Sequence, residues 1–157
     1  MGLDLYLKAR KYVSGYSFAD EKEQSAYAKL LEMAEIKPDE IQKHTPSGYV
    51  ELTVMYLRKA NQIHAWFVKN CQGGKDDCAS YYVGLDKLIE LRDLCREIIN
   101  NPEKAANLLP TQKGFFFGDT EYGEYYFDDL KNTVEQLDLI LNNPKFEDWS
   151  FEYQASW

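Results

Sequence analysis

The stretch from Tyr49 to Asn70 passes without a linker from strand-like alternation to helix-like periodicity, and it constrains the fold more than any other part of the chain. Val50, Leu52 and Val54 alternate with Tyr49, Glu51 and Thr53, which predicts a strand over Tyr49–Met55. Tyr56, Ala60, Ile63 and Phe67 then recur at helical spacing and predict a central helix over Tyr56–Asn70. Leu57, Asn61, His64 and Val68 form the neighbouring stripe, apolar at both ends and polar in the middle. On such a helix Arg58 lies one turn before Asn61, and Asn61 one turn before His64, so the three are within reach of one another. An Arg, an Asn and a His at the edge of a core face make the leading site candidate. A strand feeding a helix directly also sets Arg58 at a sheet edge, where the backbone is fixed on one side and open on the other.

The remaining elements follow from patterning and stop signals. Leu3, Leu5 and Leu7 alternate with Asp4, Tyr6 and Lys8, so Leu3–Val13 is expected as a strand. Ser14–Ser17 reads as a turn, with Ser17 placed to cap a helix over Ala19–Ile36 and with Asp20 and Glu21 favoured in its first turn by the helix dipole. Cys71–Asp77 is a loop around Gly73 and Gly74, and Tyr81–Val83 a short strand. Leu88, Leu91, Cys95 and Ile98 stripe a helix over Leu85–Asn100, ended by Asn101-Pro102. Pro102–Leu109 is expected to form a helical turn or two. Three Phe between Gly114 and Gly118 read as a short buried strand, with Phe115 and Phe117 on one face. Gly118–Gly123 then feeds a helix over Glu124–Leu141 with Phe127, Leu130, Val134, Leu137 and Leu141 inward, and Phe151–Trp157 closes the sheet. The sum is one α+β domain over residues 1–157: a small mixed or antiparallel sheet of about three to five strands packed with about four helices.

Charge narrows the partners. With 18 basic and 26 acidic side chains the formal net charge is −8, which opposes direct binding to nucleic acid or to an anionic membrane. Imitation of a DNA duplex would need a denser negative charge than this. There is no apolar run long enough to span a bilayer, and the start of the chain lacks the basic and apolar regions of a secretory signal. Cys71, Cys78 and Cys95 are odd in number and are expected as reduced thiols, which suits a cytosolic setting better than a Cys71–Cys78 bridge.

The loop around Gly118 and Gly123 invites a phosphate-cradle reading, but Asp119, Glu121 and Glu124 would repel a phosphate unless Arg58 or a Lys faced them. The more specific arrangement sets these acids against Arg58 and Lys59 across a pocket lined by Tyr122, Tyr125 and Trp66. Nothing in the spacing fixes a metal geometry on the three acids, and no metal or cofactor is expected. No nucleophile accompanies His64 with an orienting acid at a recognisable spacing, so no catalytic residue is assigned. The ligand-binding candidates are Arg58, Asn61, His64, Trp66, Asp119, Glu121, Tyr122 and Tyr125.

Three blocks, Met1-Gly2-Leu3-Asp4-Leu5-Tyr6-Leu7, Arg58-Lys59-Ala60-Asn61 with Ile63-His64-x-Trp66-Phe67, and Leu109-Pro110-Thr111 through Gly114-Phe115-Phe116-Phe117-Gly118 to Tyr126, resemble a family of small phage- and prophage-encoded proteins across nearly the whole chain. The resemblance implies a phage product in the cytoplasm of a bacterial host and carries over no residue roles. The function expected is a binding protein that acts on the host, as an anti-defence factor blocking a defence protein or sequestering a nucleotide-like signal molecule. A homo-oligomer is open to such a chain. The alternative is a small-nucleotide-processing enzyme using Arg58, Asn61 and His64.

Overall fold

Leu3, Leu5, Leu7 and Ala9 are fully buried while Tyr6, Lys8 and Arg10 between them are only partly covered, the signature of a strand with one face in a core. In the computed structural model, which describes residues 2–157, this strand is β1 (Asp4–Ser14). It is followed by α1 (Glu21–Met33), β2 (Ser47–Arg58), α2 (Asn61–Cys71), β3 (Tyr81–Val83), α3 (Leu85–Asn100), α4 (Ala105–Leu108), α5 (Glu124–Leu141) and β4 (Ser150–Ser156). The strands form one four-stranded antiparallel sheet in the order β2-β1-β4-β3, with Tyr81 paired to Tyr153 and Val83 to Phe151. The fold is therefore α+β, as the patterning implies. No helix among the described residues is long and apolar enough to cross a membrane.

The chain divides into two compact units, Met1–Ala9 with Thr53–Trp157, and Arg10–Leu52. In the first, Leu5 and Leu7 join Met55, Leu57, Ile63, Phe67, Leu88, Leu91, Ile98, Leu130 and Tyr153 in a continuous core. Each such side chain contributes about 2 kcal/mol on burial. Phe67 and Tyr153 stack with centroids 3.9 Å apart and planes 8° from parallel. The Gln136 side chain of α5 accepts from Tyr56 N–H at 2.9 Å and donates to Tyr56 C=O at 3.1 Å, covering part of the outer edge of β2 as a neighbouring strand would.

In the second unit, Tyr12 meets Tyr49 edge-on at 5.6 Å, and Arg10 lies 4.4 Å over the Tyr49 ring while pairing with Glu51 at 3.2 Å. A Cβ on Gly15 would stand 2.3 Å from the Tyr27 ring, so only glycine admits that ring there. The cap of α1 is Asp20 rather than Ser17: its carboxylate accepts from Glu23 N–H at 2.8 Å, and the helix starts at Glu21.

Two further expectations are corrected. The central helix does not begin at Tyr56. Strand β2 continues to Arg58, because Met55 and Leu57 enter the core with a period of two while Tyr56 stays exposed. Lys59, held at φ 59° with its N–H donating to Leu3 C=O at 2.7 Å, breaks the strand, and α2 starts at Asn61. Arg58 thus sits on a strand end, not one helical turn before Asn61. Gly114–Gly118 is a tight turn, not a strand: Phe117 N–H bonds Gly114 C=O at 3.1 Å, which buries Phe117 and leaves Phe115 95% exposed. On α5 the fully buried stripe is Tyr126, Leu130, Thr133, Leu137 and Ile140, with Phe127, Val134 and Leu141 flanking it.

Candidate functional site

The turn at Lys59 and the turn at Gly118 pack directly on each other. Gly118 has φ 88°, and a Cβ there would lie 3.0 Å from Lys59 Cβ and 3.3 Å from Lys59 C=O. Two left-handed residues in contact, one of them a lysine, are local strain of the kind that the surroundings must hold in place. Between them opens a cavity of about 360 Å³, wholly within the first unit. Arg58 and Lys59 line it with Asp119, Glu121 and Asp129. Gln62, Tyr125 and Tyr126 complete the wall.

The side chain of Arg58 is 61% exposed, and its pairing with Asp4 is a loose 4.0 Å contact. An exposed contact of that length holds the guanidinium weakly, so it is free to meet a ligand. Asp129 is a half-buried acid on the cavity wall. Loss of solvent pushes its carboxyl up to about 6, against the hydrogen bond at 3.0 Å that Gln62 Nε2 donates to its Oδ2. The raised value means that the folded protein holds this proton more tightly than the unfolded chain does. The associated stability is complete below the ordinary carboxylate range, near pH 4, and is lost as pH rises through about 6. Asp129→Asn, which mimics the protonated form and keeps the oxygen that Gln62 needs, should then be about 1–2 kcal/mol more stable than the parent at pH 7.5, after discount for partial solvation, and nearly equal to it at pH 4.5. Urea midpoints at the two pH values check this; an unchanged midpoint at pH 7.5 contradicts it.

Asn61 and His64 do not line the cavity. Asn61 is 1% exposed. Its Nδ2 donates to Phe117 C=O at 3.0 Å and Asp119 C=O at 2.8 Å, and its Oδ1 accepts from Gln112 N–H at 2.8 Å. It staples the 109–123 loop onto α2 and so sets the position of Asp119. The loop is further laced by Thr111 Oγ1 donating to Thr120 C=O at 3.0 Å and by Asp119 Oδ1 accepting from Glu121 N–H at 3.0 Å. His64 is 0% exposed, with Nδ1 2.8 Å from the Tyr153 hydroxyl and Nε2 3.1 Å from Asp76 Oδ2, the latter a close charge contact rather than a straight hydrogen bond. Trp157 Nε1 donates to the other oxygen of Asp76 at 3.1 Å. These groups tie β4 and Trp157 to α2 and the loop after it, and none of them lines the cavity between Lys59 and Gly118. Burial raises the Tyr153 hydroxyl well above its ordinary value, as expected of a structural phenol.

Trp66 belongs to a separate recess of about 280 Å³ with Leu108, Leu109 and Pro110. Tyr122 braces the loop, its ring edge-on to Tyr126 at 5.1 Å and its hydroxyl accepting from Thr111 N–H at 3.3 Å. Of the sequence candidates, then, Arg58, Asp119, Glu121 and Tyr125 meet at one cavity. The residues missed were Gln62 and Asp129. The available signal was spacing: Asp129 follows Tyr125 by four residues, on the same face of a helix whose start abuts the acidic loop.

The three thiols are free; burial pushes Cys71 up to about 11 and Cys95 up to about 12, so both are protonated and unreactive at neutral pH. Among the described residues no three His, Cys, Asp or Glu side chains converge as a metal site. The cavity presents cations, carboxylate acceptors and an aromatic ring to a ligand. No protein-family model, curated protein or solved structure matches the chain.

Proposed function

We propose that this is a phage-encoded binding protein of the bacterial host cytoplasm that sequesters a nucleotide-like small molecule and so acts against host defence. The observation that carries the binding reading is the cavity lined together by Arg58, Lys59, Asp119, Glu121 and Asp129, with the exposed Tyr125 in its wall. A guanidinium beside an ammonium suits a phosphate, the carboxylates suit the amino groups of a base, and a tyrosine ring suits stacking. The phage setting rests on the sequence blocks described above. A second reading, blockade of a host defence protein, is favoured by Phe115, which is almost fully exposed on the turn that carries Gly118. The enzyme alternative asked for Arg58, Asn61 and His64 at one opening, and the enclosure of the last two withdraws its support.

The test is retention of an unaltered ligand. Protein purified from a bacterial cytoplasm is heated, and the released small molecules are identified by mass. The parent should release an intact nucleotide-like compound. Arg58→Ala should bind that compound about 10- to 100-fold more weakly, the effect of one charged hydrogen-bonding group. Its melting temperature should move by no more than about 2 °C, because the side chain is mostly solvated. Release of a chemically converted product would replace sequestration with catalysis, and a large loss of stability in Arg58→Ala would assign the residue to the scaffold.

A further inference from the structure

The charges in the cavity are unequal in kind as well as in number, and this limits the ligand further. Two cations and three carboxylates line the cavity. A single phosphate can be matched by Arg58 and Lys59, whereas each further phosphate adds charge facing Asp119 and Glu121. The carboxylates are acceptors. Gln62 Nε2 already donates to Oδ2 of Asp129, which leaves Oδ1 and the second lone pair of Oδ2 for incoming donors.

Resting on the sequestration reading, we infer that the molecule held here is a guanine nucleoside monophosphate or a close derivative, with its base edge on Asp129 and its phosphate on Arg58 and Lys59. Guanine offers N1–H and its 2-amino group as adjacent donors, and an ionised carboxylate accepts both. Adenine alternates a donor with the N1 acceptor, which would meet carboxylate lone pairs. Hypoxanthine keeps N1–H and lacks the second donor. Tyr125, 78% exposed, supplies the ring for stacking.

The arrangement also makes binding depend on pH. Asp129 is faced by Gln62 from α2, by Arg58 and Lys59 from the junction before it, by Asp119 and Glu121 from the loop, and by Asp128, Tyr125 and Tyr126 on its own helix. Its neutral form exchanges an acceptor for a donor and no longer matches the guanine edge. Guanine binding should weaken as the pH falls below about 6.

Titration calorimetry with guanosine, inosine and adenosine 5′-monophosphates, at pH 7.5 and pH 5.0, tests this on the parent and on Asp129→Asn. At pH 7.5 the guanosine compound should bind about tenfold or more tightly than either of the others. It should lose about tenfold at pH 5.0. Asp129→Asn should lose both the preference and the pH dependence while staying folded. Equal or tighter binding of the adenosine compound, sensitive to Arg58→Ala, would overturn the base assignment and leave sequestration standing. Failure of all three to bind would also overturn it, and the heat-release experiment then judges sequestration by itself.

Discussion

His64→Ala is expected to destabilise the protein by about 4 kcal/mol, enough to lower its melting temperature by about 10 °C. The imidazole is wholly enclosed, so its removal leaves a cavity beside Phe117, whose ring meets it edge-on at 5.3 Å. It also strands the Tyr153 hydroxyl, which loses its partner at 2.8 Å, and removes the close contact of Nε2 with Asp76 Oδ2 at 3.1 Å. Asp76, His64 and Tyr153 form a chain, and with the ring proton on Nε2 the Tyr153 hydroxyl donates to Nδ1. Tyr153→Phe removes only that donor and keeps the stack on Phe67, so it should cost about 1–2 kcal/mol. The two changes share one interaction, and the double variant should therefore be less destabilised than their sum. Urea unfolding of the three variants measures the cycle. A cost below about 1 kcal/mol for His64→Ala, or strict additivity, would reject the chain as a stabilising unit. The test also bears on function: loss of ligand binding in His64→Ala at a temperature where it stays folded would bring the imidazole back to the site.

The difference between this outcome and the sequence reading shows what patterning can carry. The helices over Leu85–Asn100 and Glu124–Leu141 are found where their stripes and Asn-Pro stops place them, because those signals are local. The junction at Lys59 was not legible. Residues 55–67 satisfy a period of two and a period of 3.6 at once, and the choice is made by the pairing of Lys59 with Leu3, more than fifty residues away. Placing the helix start at Tyr56 set Arg58, Asn61 and His64 on one surface; moving it to Asn61 turns the first out to the cavity and the other two inward. The Phe-rich segment failed for a related reason. Three aromatic residues between glycines fit a buried strand, and the glycines instead close a turn that exposes Phe115. The acids of the loop and Arg58 were legible as opposed charges because nothing nearer in the sequence pairs them. Asp129 was not, since an acid on an amphipathic helix looks solvated until the fold shows what covers it.

Asn61→Leu should destabilise by about 3 kcal/mol and remove ligand binding, although the residue never reaches the cavity. The substitution keeps a branched side chain and deletes the amide. Gln112 N–H, Phe117 C=O and Asp119 C=O then lose their partners, and the bond to Phe117 is the buried one of the three. The 109–123 loop would keep the Thr111 and Tyr122 contacts and the bond from Leu3 N–H to Phe116 C=O but lose its tie to α2, so amide exchange at Gln112 should accelerate and proteases should cut the loop. Asn61→Asp separates the two jobs of the side chain. It preserves an acceptor for Gln112 N–H but turns a carboxylate toward two carbonyl oxygens, and burial of that uncompensated charge should make it at least as damaging as leucine. If aspartate is instead tolerated better than leucine, the donor side of Asn61 contributes little and the loop is held by other means. The contrast with Arg58→Ala is the informative one. Both should weaken binding, Arg58→Ala by about 10- to 100-fold, but only the asparagine variants should also lose stability and loop protection, because Arg58 acts on the ligand while Asn61 acts on the position of Asp119. Binding that survives in Asn61→Leu at near-parental strength would mean that the carboxylates of the cavity do not need their present geometry, and the cavity would then cease to explain ligand choice.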